Sequence, residues 1–393
     1  MTFITDIVSR YVHDAEISAI KDMAMRSAAI EGVASLTWGL PSFQTPEYIR
    51  ESIKQSLDDN IDAGKYTLPD GLLELRELVA RIHQQKTGVS VDAVRHVMIG
   101  AGNMQGLNTL FHTLLDPGDE IILTDPCFAS HIQQIKLFNG VPVYWPLNEH
   151  NNWSLDVETL PSLITRKTQA IILVSPSNPT GKIFTKADLI RVAEIARQHN
   201  ILIIIDDPYS DFLYENRDKY FNLATLEEYK SHIVYLYSFS KSYAMSGWRL
   251  CYMIMPEELK YEALKVHDAT MICAPAISQL AGMAALSEES DHKQVFEHEL
   301  KLRRDLIIER LDNVAHVFKG KKPEGAYYVF PEITIEHTQS KNFAIELLNN
   351  ARVAVTPGSA FGPSGEHHVR MAYCVDEATI NLAFDRIEKY FPE

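Results

Sequence analysis

The sequence has little cysteine for its length and no long apolar run. Its four cysteines, Cys127, Cys251, Cys273 and Cys374, lie far apart and show neither C-x-x-C nor His-paired spacing. This distribution predicts reduced thiols in a cytoplasmic compartment and no metal site. No uncharged apolar run reaches the roughly 20 residues that a membrane helix needs. The opening stretch, MTFITDIVSRYVHD, carries acids early and lacks the cationic and then apolar order of a secretory signal.

Basic residues are also scarce relative to acidic ones. The chain has 37 Lys and Arg against 52 Asp and Glu, a net charge of −15 that is spread along the sequence. This balance argues against nucleic acid or an anionic membrane as a partner. With 393 residues, 46% of them apolar, the chain can bury a large core, and we expect two lobes.

Seven short apolar runs follow one another from about residue 95, and most are separated by segments of helical length. They are HVMIG, EIILT, VPVYW, AIILV, ILIIID, HIVYLYS and LCYMIM. Apolar runs that alternate with helices predict a mainly parallel sheet covered on both faces. We therefore predict an α/β fold with a three-layer αβα large domain around a seven-stranded sheet.

The pattern changes near both ends of the chain. Residues 16–31 have helical spacing, and an irregular loop with two prolines follows. After residue 286 a long charged helix, DHKQVFEHELKLRRDLIIERLDNV, precedes short mixed elements. The prediction is a large domain of residues 46–285 and a smaller α+β domain built from residues 1–45 and 286–393.

Polar residues follow five of the predicted strands. The segments are AGNMQGLNTL, DPCF, SPSNPTG, DPYSDF and FSKSYAMSGWR. The carboxyl ends of parallel strands are where open α/β sheets bind ligands. Backbone amides at a helix start, an aromatic ring, an amide, carboxylates and a lysine with an arginine together suit a phosphate-bearing aromatic ring that reacts with an amine.

Two of these residues would perform the chemistry. Lys241, between two serines at the end of a strand, would form a Schiff base with such a ligand. Asp206, the last residue of ILIIID, would face a pyridinium nitrogen and keep it protonated, so that the ring accepts electrons from a developing carbanion.

The phosphate would be held by backbone and side-chain donors. Gly102, Asn103 and Met104 open a helix and would present amide groups and the positive end of the helix dipole. Arg249 and Ser238 would complete the phosphate site.

The ordered motifs resemble those of one family. SPSNPTG, DDPY, SFSKSYAMSGWR and VRMAY, in this order and at these separations, are similar to the class I and II aminotransferases, pyridoxal-phosphate enzymes of fold type I in the aspartate aminotransferase superfamily. The resemblance covers almost the whole chain, including YTLPDGLLELRELVA and PEGAYYVF. It departs from the family at Asp207 and Pro208, where Asp-Glu commonly stands at the strand end.

The resemblance implies roles around the cofactor, pyridoxal 5'-phosphate. Lys241 would be the Schiff-base lysine and Asp206 the partner of the pyridine nitrogen. Tyr209 and Asn178 would hydrogen bond to the phenolic oxygen, and Phe128 would stack on the ring.

It also implies a substrate side and an oligomer. Arg370, with Asn178, would bind the substrate α-carboxylate as a bidentate pair, and the backbone of Gly39 would line the substrate side. Family members are usually homodimers, in which a tyrosine such as Tyr66 reaches the phosphate of the other subunit. The substrates would be an amino acid and a 2-oxo acid, converted by a ping-pong mechanism.

The expected substrate pocket is largely apolar. Trp38, Leu40, Phe43 and Tyr327 supply it, and Met104 stands where one aspartate-specific subgroup has a lysine. A neutral, flexible methionine offers no ion pair to a second carboxylate. We therefore expect neutral donors with apolar or aromatic side chains.

Other interpretations remain open. Strand-end lysines, aspartates and arginines often lie in ordinary surface or ion-pair positions, and Asn178 is also a typical turn residue. A C-S lyase or a cyclopropane-forming synthase would use the same cofactor residues, and aspartate specificity is a further alternative. HVMIGAGNMQG also resembles a dinucleotide-binding turn, with Asp125 as the ribose-binding acid, but its glycine spacing is one residue too long. A ligand-sensing transcription regulator is a further alternative. Such a protein would carry an added DNA-binding domain, and we expect the residues before the sheet domain to be too few to form one.

Overall fold

The computed structural model describes residues 7–13, 15, 17–59, 63–288, 290–336 and 339–392. Its helices, within these residues, span Arg10–His13, Ala19–Ala28, Glu47–Asp59, Leu73–Thr87, Asn103–Leu114, Ala129–Leu137, Leu160–Leu163, Lys186–His199, Phe239–Ser242, Glu257–Met271, Ala276–Ser287, His292–Asn313, Ser340–Glu346 and Glu377–Tyr390.

The strands are short, and the longest have six residues. They are β1 Ala34–Ser35, β2 Val97–Gly100, β3 Glu120–Asp125, β4 Val141–Pro146, β5 Thr168–Leu173, β6 Leu202–Asp207, β7 Ile233–Ser238, β8 Cys251–Ile254, β9 Phe318–Lys319, β10 Tyr328–Val329, β11 Glu332–Ile333, β12 Val353–Ala354, β13 Thr356–Pro357 and β14 Val369–Ala372.

The seven predicted strands form one sheet, in the order β2-β8-β7-β6-β5-β3-β4. β8 runs antiparallel to both of its neighbours, and the other pairs are parallel. The segment between β7 and β8 contains only short helical turns, which fits an antiparallel return rather than a crossover. The prediction of a mainly parallel seven-stranded sheet is confirmed.

Both faces of the sheet are buried, as continuous apolar strands require. Neighbouring residues of one strand enter different cores: Ile203 joins one apolar cluster and Ile204 the other. Helix Asn103–Leu114 packs on one face and helix Lys186–His199 on the opposite face. This arrangement confirms the three-layer αβα architecture.

A third apolar core joins the two ends of the chain. Parallel pairing of β1 with β12 places Ala34 beside Val353, and Met23 and Leu36 share a cluster with apolar residues from 296 to 387. β10, β14 and β13 form a small antiparallel sheet there. We propose on this basis that residues 1–45 and 286–393 form the small domain; its boundaries stay a prediction.

Candidate active site

One cavity of about 470 Å³ lies at the carboxyl ends of the sheet strands. Every residue predicted to act in catalysis, to hold the cofactor or to bind the substrate carboxylate lines it, except Gly102 and Tyr66. These residues are Gly39, Asn103, Met104, Phe128, Asn178, Asp206, Tyr209, Ser238, Lys241, Arg249 and Arg370. Asp206, Ser238 and Lys241 meet because β6 and β7 are parallel and end at the same edge of the sheet. Arg370 reaches the cavity from β14 of the small sheet.

Gly102 lies directly beside Arg249, which lines the cavity. Gly102 has φ +84° just before helix Asn103–Leu114, and a Cβ there would lie 2.4 Å from a terminal nitrogen of Arg249. Arg249 is itself in the left-handed region, at φ +53°, and its guanidinium donates to the carbonyl of Ser246 at 2.8 Å. The helix N-terminus and the guanidinium thus meet at a place that only glycine leaves open, which suits an anion.

The carboxylate of Asp206 is held by two side chains. Asn103 Nδ2 donates to Oδ1 at 2.6 Å, and His131 Nε2 lies 2.9 Å from Oδ2. Asp206 and His131 are both buried. The sequence interpretation missed His131, although it lies three residues after Phe128, at the spacing that places side chains on one helix face.

Four residues that line the cavity form a hydrogen-bonded chain. Arg370 donates from a terminal nitrogen to Asn178 Oδ1 at 3.1 Å, and Asn178 Nδ2 lies 3.4 Å from the hydroxyl of Tyr209. The Tyr209 hydroxyl lies 3.0 Å from that of Tyr328, and burial raises the pKa of Tyr209 well above its usual range. Both phenols are therefore neutral hydrogen-bonding groups at neutral pH.

Arg370 is 1% exposed and closely packed. Its guanidinium lies 4.5 Å from the ring centre of Tyr328 and donates to the carbonyl of Thr37 at 2.5 Å. Its Nε has no hydrogen-bond partner among the described residues. A buried cation that lines a cavity and has an unused donor can bind a carboxylate by donating hydrogen bonds to it.

Lys241 lies in the short helix Phe239–Ser242, directly after β7. Its ammonium donates to the carbonyl of Gly39 at 2.5 Å. Burial lowers the pKa of Lys241 to about 8, and the positive charges of Arg370 and Arg249 contribute further. A lysine with this pKa exchanges protons near neutral pH.

Tyr66 lies apart from this cavity. Its side chain is 78% exposed, and it is not among the residues that line the cavity. Asp125, the acid that a dinucleotide would need, also does not line the cavity; it accepts a hydrogen bond from the Ser364 hydroxyl at 2.7 Å.

The expected apolar pocket needs two corrections. Trp38 and Leu40 line the cavity, but Phe43 stacks on Phe296 with ring centres 4.1 Å apart. Tyr328, rather than Tyr327, is a lining residue, while the Tyr327 hydroxyl donates to the carbonyl of Gly39 behind it. The two rings are neighbours, with centres 4.8 Å apart, and Tyr328 is the one of the pair that lines the cavity.

Two kinds of feature are absent from the described residues. Within the ranges given above, no helix is long and apolar enough to cross a membrane. In the same ranges, no group of three or more His, Cys, Asp or Glu is placed to hold a metal ion.

The fold and cavity are those of an α/β enzyme with a lysine and an arginine facing a small-molecule site. The family model for aminotransferase class I and II matches residues 31–387, so the chain belongs to this family. The resemblance found in the sequence motifs is thereby confirmed.

Several relatives and solved structures similar to this chain are aminotransferases. An aspartate aminotransferase of Pyrococcus horikoshii is 37% identical over 95% of this chain and 94% of its own length. Aromatic-amino-acid aminotransferase 2 of Thermococcus litoralis is 35% identical over 97% of both chains. The solved structure of Thermus thermophilus aspartate aminotransferase with maleate has a TM-score of 0.91 at 29% identity, covering 98% of this chain and 99% of that chain.

Proposed function

We propose that this chain is a pyridoxal-phosphate-dependent aminotransferase that moves an amino group from an L-amino acid to a 2-oxo acid by a ping-pong mechanism. The observation that carries the proposal is the position of Lys241. Its amine, with a pKa lowered to about 8, faces the cavity that also contains Asp206, Arg249 and Arg370. Membership of the aminotransferase family supports the same activity.

The residues present fit pyridoxal phosphate. The guanidinium of Arg249, which lies against Gly102 at the start of helix Asn103–Leu114, suits the phosphate together with that helix N-terminus. Ser238 and the amides of Asn103 and Met104 would complete that site. The buried carboxylate of Asp206 suits a pyridinium nitrogen.

Other residues of the cavity would contact the edge and the face of the cofactor ring. Asn178 and the neutral hydroxyl of Tyr209 suit the phenolic oxygen, and the Phe128 ring, which lines the cavity, suits stacking. When bound, pyridoxal phosphate supplies an aldehyde that captures the donor's amine and a ring that accepts the electron pair left at Cα.

The chain's own residues would then position the substrate and move a proton. Arg370 and Asn178 bind the α-carboxylate and fix the orientation of Cα. Lys241 Nζ accepts the Cα proton from the donor and returns a proton to Cα of the amino acid formed from the acceptor. The lowered pKa of Lys241 keeps enough neutral amine for the first of these steps near pH 8.

We also propose a cytoplasmic homodimer. Tyr66, Leu68 and Ile272 are 78%, 67% and 44% exposed. The two segments that carry them are linked by Gln279, which hydrogen bonds to both Thr67 and the carbonyl of Ala274. An exposed apolar patch of this kind is typical of a protein interface. In such a dimer Tyr66 would contact the phosphate bound by the other chain.

For the donor we propose a neutral amino acid with an apolar or aromatic side chain. Met104, Trp38, Leu40 and Val174 line the cavity. None of them offers a charge to a second carboxylate.

The activity is tested by half-reactions. Protein loaded with pyridoxal phosphate is mixed with single amino acids and no acceptor, and the released 2-oxo acid is measured by chromatography. A ping-pong aminotransferase releases about one equivalent per site. A lyase continues to turn over without an acceptor, and release of no 2-oxo acid from any donor would contradict the proposal.

The donor preference is tested by comparing kcat/KM for phenylalanine, methionine and aspartate under identical conditions. We expect phenylalanine or methionine to be preferred. An advantage of aspartate above about tenfold, equal to roughly 1.4 kcal/mol of transition-state stabilisation, would refute the apolar-pocket argument.

A further inference from the structure

The first turn of helix Ala19–Ala28 brings a cation to the cavity. Ser18, Ile20 and Lys21 line the cavity together with Trp38 and Leu40. The Lys21 ammonium lies 4.2 Å from the centre of the Trp38 ring. The segment lies more than 200 residues before Lys241, and no sequence motif connects the two.

The charges around the cavity are unbalanced. Among the described lining residues, four side chains are cationic, Lys21, Lys241, Arg249 and Arg370, and Asp206 is the one carboxylate. In the proposed function Arg249 binds the phosphate, Arg370 binds the α-carboxylate and Lys241 carries out the proton transfer. Lys21 is left without an anion.

No carboxylate among the described residues forms an ion pair with Lys21, whose ammonium rests on the face of Trp38. A cation–π contact at an exposed site is weak compared with a charge-assisted hydrogen bond to a carboxylate. The ammonium can therefore leave the indole when a carboxylate is offered. The indole can contact an apolar side chain when none is present.

We propose that Lys21 is a specificity-determining residue that binds the second carboxylate of a dicarboxylic 2-oxo acid acceptor. This inference rests on the proposed aminotransferase function and deepens it by naming the acceptor class. One pocket then serves two substrates in turn: Trp38 and Leu40 contact the apolar side chain of the donor, and Lys21 binds the distal carboxylate of the acceptor. Lys21 thus supplies, from the same chain, the cation for a second carboxylate that the neutral side chain of Met104 does not provide.

The test compares 2-oxoglutarate with the neutral acceptor 4-methyl-2-oxopentanoate, as a ratio of kcat/KM values at a fixed donor. Lys21→Met keeps the length and apolar stem but removes the charge, Lys21→Arg keeps the charge, and Lys54→Met removes a surface lysine that is paired with Glu51. We expect the ratio to fall about tenfold in Lys21→Met and to stay near the wild-type value in the other two variants. A fall of less than threefold, or an equal fall in Lys21→Arg, would overturn the proposal.

Salt provides a readout that a structural role of Lys21 would not change. Raising KCl from about 50 to about 500 mM screens exposed charges, so the wild-type ratio should fall while that of Lys21→Met stays constant. Parallel salt dependence in both proteins would count against an ion pair.

A binding measurement separates this inference from the proposed function. Succinate, an unreactive dicarboxylate, and butyrate, its monocarboxylate counterpart, are titrated into the pyridoxal-phosphate-loaded protein by calorimetry. We expect Lys21→Met to weaken succinate binding about tenfold relative to butyrate. Equal binding of succinate by wild type and variant would refute the role of Lys21, even if transamination is observed. If the wild-type protein does not transaminate but Lys21→Met still loses the preference for succinate, only the proposed function is refuted.

Discussion

The ionisation of Lys241 can be measured directly in the cofactor-free protein. Its environment lowers the pKa from 10.5 to about 8, first by burial and then through nearby cationic groups. At pH 7 an amine with a pKa of about 8 is roughly 9% neutral, against about 0.03% for one at 10.5. The cavity should therefore hold about 300 times more reactive amine than a solvated lysine.

Competitive acetylation provides the assay. Trace acetic anhydride is added between pH 6 and 11 in the presence of N-acetyl-lysine amide as an internal standard, and the peptide that contains Lys241 is quantified by mass spectrometry. Only the neutral amine reacts, so the midpoint of the curve reports the pKa. We expect a midpoint near pH 8.

The sign of the expected change follows from the causes of the shift. Burial and neighbouring positive charge both disfavour the ammonium form, so the neutral amine is gained as the pH rises through about 8 rather than through 10.5. A midpoint at pH 10 or above would show that the ammonium remains hydrated, and it would refute the assignment of Lys241 as a proton acceptor at neutral pH.

Three substitutions test the rest of the site. Lys241→Ala should reduce transamination by about a thousandfold or more, while pyridoxal phosphate still binds noncovalently, measured by its absorbance after gel filtration; retained turnover would rule out Lys241 as the catalytic lysine. Asp206→Asn should lower kcat at least tenfold and weaken cofactor binding far less; unchanged kcat would mean that another residue faces the ring nitrogen. Gly102→Ala should weaken cofactor binding at least tenfold, because its Cβ would lie 2.4 Å from Arg249. Gly88→Ala is the matched control: it has a similar φ of +78° with no atom within 4 Å of the new Cβ, so it should cost about 1 to 2 kcal/mol of stability without loss of cofactor.

The sheet could be predicted from the sequence because each of its strands is recognisable from a few consecutive residues. Each of β2 to β8 is a short apolar run between polar or helical segments, and continuous burial on both faces requires such runs. Asp206, in the last two residues of β6, and Lys241, which follows β7, could be placed at one edge for the same reason. Parallel pairing of Asp206 with Leu236 brings those two strand ends together.

Side chains that reach the site from elsewhere were not predictable in this way. His131 reaches Asp206 from the first turn of a helix after β3, Tyr328 reaches Tyr209 from the small sheet, and Lys21 reaches the cavity from the N-terminal helix. Each of these contacts depends on how one element packs on another. A sequence motif identifies the residues at the strand ends, but it does not show which helices and strands pack against each other.

The sequence by itself determined the fold class, the order of the strands along the chain and the residues at their carboxyl ends, because apolar periodicity and turn residues act over a few positions. Only the tertiary structure decided how deeply those residues are buried and which charges surround them. The pKa of Lys241 depends on burial and on the charges of Arg249, Arg370 and Lys21. Two of these, Arg370 and Lys21, lie more than 100 residues away along the chain, because desolvation and Coulomb interactions depend on distance in space rather than in sequence.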